Sequence, residues 1–120
     1  MDFQKQKAIY LQIANYICEQ ILRDQWQDKI PSVRELAVQI AVNPNTVART
    51  YAHLEEKGVI RIQRGIGYYT EHQAKKQIIA LKKKEFFTEI VPQLVNTLQL
   101  LDISVEELPK LIGEMNYEKK

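Results

Sequence analysis

Cysteine is nearly absent: the 120 residues hold one, Cys18. A disulfide-stapled secreted scaffold is therefore excluded. Glycine and proline are scarce as well, four of each, so this is no linker or low-complexity chain. No apolar run approaches the roughly 20 residues that span a bilayer. Ile78-Ile79-Ala80-Leu81 is typical of the longest. The opening Met1-Asp2-Phe3-Gln4-Lys5 has no apolar core, so no secretory signal is visible and the cytoplasm is the expected location. The two histidines, His53 and His72, fall on different elements. With one cysteine they are too few for a zinc cluster of the usual spacing. No Gly-x-Ser-x-Gly elbow, phosphate loop or dinucleotide fingerprint occurs. The carboxylate pairs Glu55-Glu56 and Glu106-Glu107 read as solvated helix surfaces. Neither an enzyme nor a bound cofactor or metal is expected.

Charge of one sign is also in short supply. The net charge is +2 and the isoelectric point near 8.6. A chain gripping phosphate by bulk charge alone would show a larger excess. Residues 1–70 hold nine basic and seven acidic groups, and residues 71–120 hold eight of each, so the excess lies in the first part. Nucleic acid is permitted as a partner, but composition does not demand it.

What is present is pattern. The size suits one domain, or one small domain with an appendage. From about Ala8 to Arg23, Ile9, Ile13, Ile17 and Ile21 recur every four residues, with Ala14, Cys18 and Leu22 beside them. That spacing predicts an amphipathic helix with Cys18 as an inert core thiol. Trp26 follows and is expected to pack over the helix end. Ser32 with Glu35 three residues on forms a capping box, so a helix starts at Val33, with Val33, Leu36, Ala37 and Ile40 on its apolar face. Asn43 is a good N-cap and Pro44 suits the first helical position, because the N–H it lacks would be unpaired there. A helix from Pro44 to Lys57 follows, with an apolar seam of Val47, Tyr51 and Leu54 and a stop at Gly58.

Two short helices joined by about three residues make a helix-turn-helix. The second would enter a DNA major groove N-terminus first. Its outward face there offers Asn45, Thr46 and Arg49, with Thr50 and His53 as further candidates. Asparagine matches the adenine edge and arginine the guanine edge. Beyond Gly58, the β-formers Val59, Ile60 and Ile62, then Tyr68 and Tyr69, flank Gln63-Arg64-Gly65-Ile66-Gly67. That reads as a β-hairpin, the wing of a winged helix. Arg64 beside Gly65 is placed for close approach to a minor groove.

From about His72 the chain reads as helical again. Ile90, Leu94, Leu98 and Leu101 continue at helical spacing, and Pro92 among them predicts a kink. Ser104 and Glu107 form a second capping box, opening a last short helix. The lysines at 82–84 read as a solvated helix face, with non-specific phosphate contact as the other reading. The expected fold class is mainly α with a small β-hairpin. Residues 1–71 would form a winged helix-turn-helix DNA-binding domain and residues 72–120 a helical dimerisation region. The tail carries more apolar surface than a kinked helix hides on itself. Either it folds back, or it packs on a second copy through Phe86, Phe87, Ile90, Leu94, Leu98 and Leu101; the second is favoured. A homodimer would bind a palindromic operator with half-sites one turn, about 34 Å, or a multiple of it apart. A small-molecule effector site on the seam, lined by Phe86, Phe87 and Tyr117, stays open beside the reading in which packing explains those aromatics.

The blocks Ile9-Tyr10-Leu11-Gln12-Ile13, Pro31-Ser32-Val33-Arg34-Glu35-Leu36-Ala37, Asn43-Pro44-Asn45-Thr46-Val47, Leu54-Glu55-Glu56-Lys57-Gly58-Val59-Ile60 and Arg64-Gly65-Ile66-Gly67 resemble the GntR family of bacterial transcription regulators in order and spacing. The match covers about Ile9 to Tyr69. The short tail, with Leu101-Asp102-Ile103-Ser104-Val105-Glu106-Glu107-Leu108, resembles the YtrA-type branch, where a small helical region replaces a large effector domain and serves dimerisation. The resemblance implies DNA contacts for Arg34, for Asn43, Asn45 and Thr46, and for the wing-tip pair Arg64 and Gly65. It implies a cap that touches phosphate for Ser32. Many members carry arginine where this chain has Pro44 and Ala48, so their base-reading pattern does not transfer. Arg49 either takes over part of that work or pairs with nearby glutamates. The branch implies repression, often of operons for ATP-binding membrane transporters. The rival reading is a winged helix used for protein–protein contact, without DNA readout.

Overall fold

The structure is a computed structural model that describes residues 7–115. Its elements run α1 (Ile9–Leu22), β1 (Lys29–Ile30), α2 (Val33–Ile40), α3 (Pro44–Glu56), β2 (Ile60–Gln63), β3 (Gly67–Thr70) and α4 (Ala74–Glu85). A π turn (Phe86–Ile90), α5 (Val91–Leu100), a short 3-10 turn (Val105–Glu107) and α6 (Leu108–Glu114) follow. The mainly helical class with a small sheet is as expected. The chain divides after Ala80 into two compact units.

In the first unit the core follows the periodicity. Ile13, Ala14, Ile17, Cys18 and Ile21 are buried on α1, Leu36 and Ala37 on α2, and Val47, Tyr51 and Leu54 on α3. Each fully buried Ile or Leu contributes roughly 1.5–3 kcal/mol by removal from water. Ile9 departs from its predicted stripe: at the first position of α1 it is 54% exposed. Trp26 meets Tyr16 of α1 edge-on at 6.1 Å, so its ring does pack on the end of that helix, and its backbone N–H donates to the Gln20 carbonyl.

α2 and α3 are joined by Ala41, Val42 and Asn43. Ala41 closes α2 in the left-handed region, at φ 55°. This position suits glycine, which adopts it without a Cβ penalty. β2 and β3 form the expected antiparallel hairpin, with Ile62 opposite Tyr68 and Gln63 opposite Gly67. The two-residue β1 adds a third strand that sequence reasoning did not predict. Lys29 pairs with Tyr69 and Ile30 with Tyr68, giving the order β1-β3-β2. At the wing tip the Ile66 N–H donates to the Gln63 carbonyl, and Gly65 sits at φ +80°. The third position of such a turn needs positive φ, which is why glycine occupies it. Ala74 and Ile78 of α4 are buried in this unit. The Gln77 amide donates to the Lys57 carbonyl at the end of α3.

The second unit buries little of itself. Leu98 is buried, whereas Phe86, Phe87, Ile90, Leu94 and Leu101 are all exposed. The break expected at Pro92 takes the form of the π turn just before it, with Pro92 in the opening turn of α5. The Val91 N–H donates to the Phe86 carbonyl five residues back, so the helix is continuous here, and the wider π turn accommodates the hydrogen bond that Pro92, lacking an N–H, cannot make. The Ser104–Glu107 capping box forms as predicted, although its first turn is 3-10.

Candidate nucleic-acid interface

The site is assembled from two helix N-termini and a turn. At the first, Ser32 Oγ accepts from the Glu35 N–H at 3.0 Å, and Glu35 Oε1 accepts from the Ser32 N–H at 2.8 Å. This reciprocal cap fixes where α2 begins and leaves Arg34 exposed in its first turn. The Tyr51 hydroxyl, reaching from the buried seam of α3, donates to the Pro31 carbonyl at 2.6 Å. One bond therefore ties α3 to the residue just before the α2 cap. Burial raises the Tyr51 phenol far above its ordinary pKa, so it stays protonated and remains a donor.

At the second N-terminus, Asn43 Oδ1 accepts from the Asn45 N–H at 2.7 Å. That occupies the amide oxygen of Asn43 but leaves its NH₂ free to donate, which suits phosphate. Asn45 is exposed, and its whole amide is available for the paired donor–acceptor edge of adenine. Thr46 is half-buried and Arg49 exposed. No acidic residue stands in the first turn of α3. A polyanion approaching that positive helix end therefore meets no opposing carboxylate there.

Farther along α3 the structure corrects the sequence. Thr50 does not face outward. It is wholly buried, and its hydroxyl donates to the Tyr10 carbonyl at 2.9 Å and the Thr46 carbonyl at 3.1 Å. His53 is half-buried, edge-on to the Tyr10 ring at 5.7 Å. Burial, helped by the charge of Lys57, holds its pKa below the ordinary histidine value. The Arg49 guanidinium lies over the Tyr10 ring, 3.8 Å from its centroid, which answers what it pairs with in the free chain.

The wing completes the set. Arg64 and Gly65 are exposed, and nothing lies within 4 Å of where a Gly65 Cβ would stand. Gly65 is thus required by its backbone and leaves open space at the tip. Three residues that sequence reasoning passed over sit close by. Lys29 lays its stem against Gly67, Arg61 lies over the Tyr69 ring at 5.4 Å, and Tyr10 supports Arg49. An aromatic inside the block Ile9-Tyr10-Leu11-Gln12-Ile13 was a signal for Tyr10. The pairing of β1 with β3, which places Lys29, had none.

Among the described residues no cluster of three or more His, Cys, Asp or Glu side chains is arranged to hold a metal ion. No helix among them is long and apolar enough to cross a membrane. Of the aromatics considered for an effector site, Phe86 and Phe87 meet edge-on at 5.2 Å. Tyr117 lies outside the described residues.

Comparison with known proteins places this geometry. The model of bacterial regulatory proteins of the gntR family matches residues 6–69. The HTH-type transcriptional repressor YtrA of Bacillus subtilis is 34% identical over 122 residues, covering 100% of this chain and 93% of its own. The uncharacterized HTH-type transcriptional regulator YhcF of the same organism is 38% identical over 109 residues, covering 89% and 88%. A solved GntR family transcriptional regulator from Listeria monocytogenes superposes with a TM-score of 0.73 at 32% identity, over 93% of this chain and 98% of that one.

Proposed function

The chain belongs to the GntR family of bacterial regulatory proteins, as a short YtrA-like member, and on that footing we propose that it is a repressor binding a palindromic operator as a homodimer. Regulators of this family bind DNA. The observation that carries it is the N-terminal half of α3. Asn45 and Arg49 are exposed there on a helix whose first turn bears no carboxylate. Asn45 and Arg49 read base edges in the major groove. Ser32, Arg34, Asn43 and Thr46 hold the helix in register through phosphates and neighbouring edges. Arg64 enters the minor groove, with Gly65 admitting the backbone. Phe86, Phe87, Ile90, Leu94 and Leu101 are exposed apolar side chains for a second copy to cover, whereas Leu98 is already buried within the chain. The setting is the cytoplasm, with no membrane partner, no enzymatic activity and no cofactor.

Selection of bound duplexes from a random pool tests this. The expected product is an inverted repeat with one spacing, bound by two chains. Arg34→Ala and Arg64→Ala should each weaken binding to it while leaving the melting temperature and oligomeric mass unchanged. Failure to enrich any duplex, from a folded protein, would favour a winged helix used for protein contact instead.

A further inference from the structure

Three side chains of α3 converge on one residue of α1. The Arg49 guanidinium lies 3.8 Å over the Tyr10 ring, His53 meets the same ring edge-on at 5.7 Å, and the Thr50 hydroxyl donates to the Tyr10 carbonyl at 2.9 Å. Arg49 is itself exposed, and an exposed arginine ordinarily spends its time among many rotamers. Ordering it at the moment of binding costs affinity. A ring beneath it removes much of that cost beforehand. The contact also leaves the chemistry of the arginine intact. A guanidinium meets an aromatic ring through its π face, whereas its five N–H donors lie in its own plane. A stacked arginine therefore keeps every donor for a base edge.

We infer that Tyr10 is a positioning residue for DNA readout: its ring holds Arg49 poised at the front of α3 and so sets how sharply the protein discriminates at the base pair under Arg49. The inference rests on the proposed entry of α3 into the major groove. Tyr10 itself touches no DNA in this scheme. Its hydrogen bond with Thr50 is made by the main chain, so changing the side chain spares the bond that pins α1 to α3.

The test uses the duplex selected by the unaltered full chain, plus duplexes in which each base pair is exchanged in turn. Tyr10→Phe keeps the ring and should bind within about twofold of the unaltered protein. Tyr10→Leu should weaken binding by about three- to tenfold and flatten the preference at one base pair per half-site. Arg49→Ala should flatten the same base pair. In the Arg49→Ala background, Tyr10→Leu should have no further effect. A folded Tyr10→Leu that discriminates as the unaltered protein does would overturn the inference. So would a loss that adds in full to that of Arg49→Ala, since Tyr10 would then act only on the fold. A measurement on the unaltered free protein does not depend on any variant folding. The Arg49 side-chain protons should show upfield ring-current shifts by NMR, and random-coil shifts there would overturn the inference too. An unaltered protein that selects no duplex would instead sink the proposed function, so the two failures are distinguishable.

Discussion

Replacing Tyr51 by phenylalanine removes one oxygen and breaks one bond that joins α3 to the residue before the α2 cap. Tyr51 is wholly buried, its ring is edge-on to Tyr68 at 4.7 Å, and its hydroxyl donates to the Pro31 carbonyl at 2.6 Å. Phenylalanine keeps the ring contact and the volume, so no cavity term arises. What is lost is a hydrogen bond worth about 0.5–1.5 kcal/mol net, plus part of the cost of leaving a half-buried carbonyl without that donor. Together they come to about 1–2 kcal/mol. In a domain of this size each kcal/mol moves the melting temperature by roughly 4–8 °C. Tyr51→Phe should therefore lower it by roughly 5–15 °C, measured by circular dichroism at neutral pH. Tyr51→Leu, which also surrenders the contact with Tyr68, should cost more, about 3 kcal/mol. A Tyr51→Phe variant melting within about 1 °C of the parent would refute the reasoning, because the bond would then contribute nothing.

Ser32→Ala should destabilise by about 1 kcal/mol in a denaturant titration, because it removes the side-chain half of the α2 capping box. Ala41→Gly should stabilise by roughly 0.5–1 kcal/mol in the same titration, since a Cβ at φ 55° is strained and glycine relieves it at some cost in unfolded-state entropy. The folded-state pKa of His53 lies below its ordinary value of 6.5, so on acidification the unfolded chain takes up this proton first. The stability His53 contributes is therefore complete above about pH 6.5 and is lost as pH falls through the folded value. His53→Gln should show a shallower loss of stability over that acidic interval than the parent; an identical pH profile would contradict the assignment.

What could be read from the sequence was local. Ser32 with Glu35, Asn43 with Pro44, and Ser104 with Glu107 announce helix starts because each motif satisfies backbone groups within one turn. The wing was legible because its turn needs glycine at Gly65. What escaped depended on partners distant in the chain. β1 is two residues long and exists because β3 pairs with it, and nothing around Lys29 and Ile30 signals a strand. Thr50 looks like a groove-facing hydroxyl, but it lies on the α3 stripe that α1 covers and spends its proton on Tyr10. Ile9 continues the α1 spacing, yet at the first position of the helix it stays exposed. Pro92 foretold an interruption, but the π turn that embodies it involves residues preceding the proline. The Arg49–Tyr10 contact depends on how α1 is rotated against α3, which no spacing within either helix encodes.

The most direct test of the central claim, that the front of α2, the front of α3 and the wing grip a duplex, is the salt dependence of binding. Fluorescence anisotropy of a labelled selected duplex, followed from about 50 to 300 mM salt, reads the number of phosphates neutralised from the slope of log affinity against log salt. The expected slope is steeper than about −4, and shallower when Arg34 and Arg64 are both replaced by alanine. A slope near zero, or no detectable binding at the lowest salt by a folded protein, would contradict it.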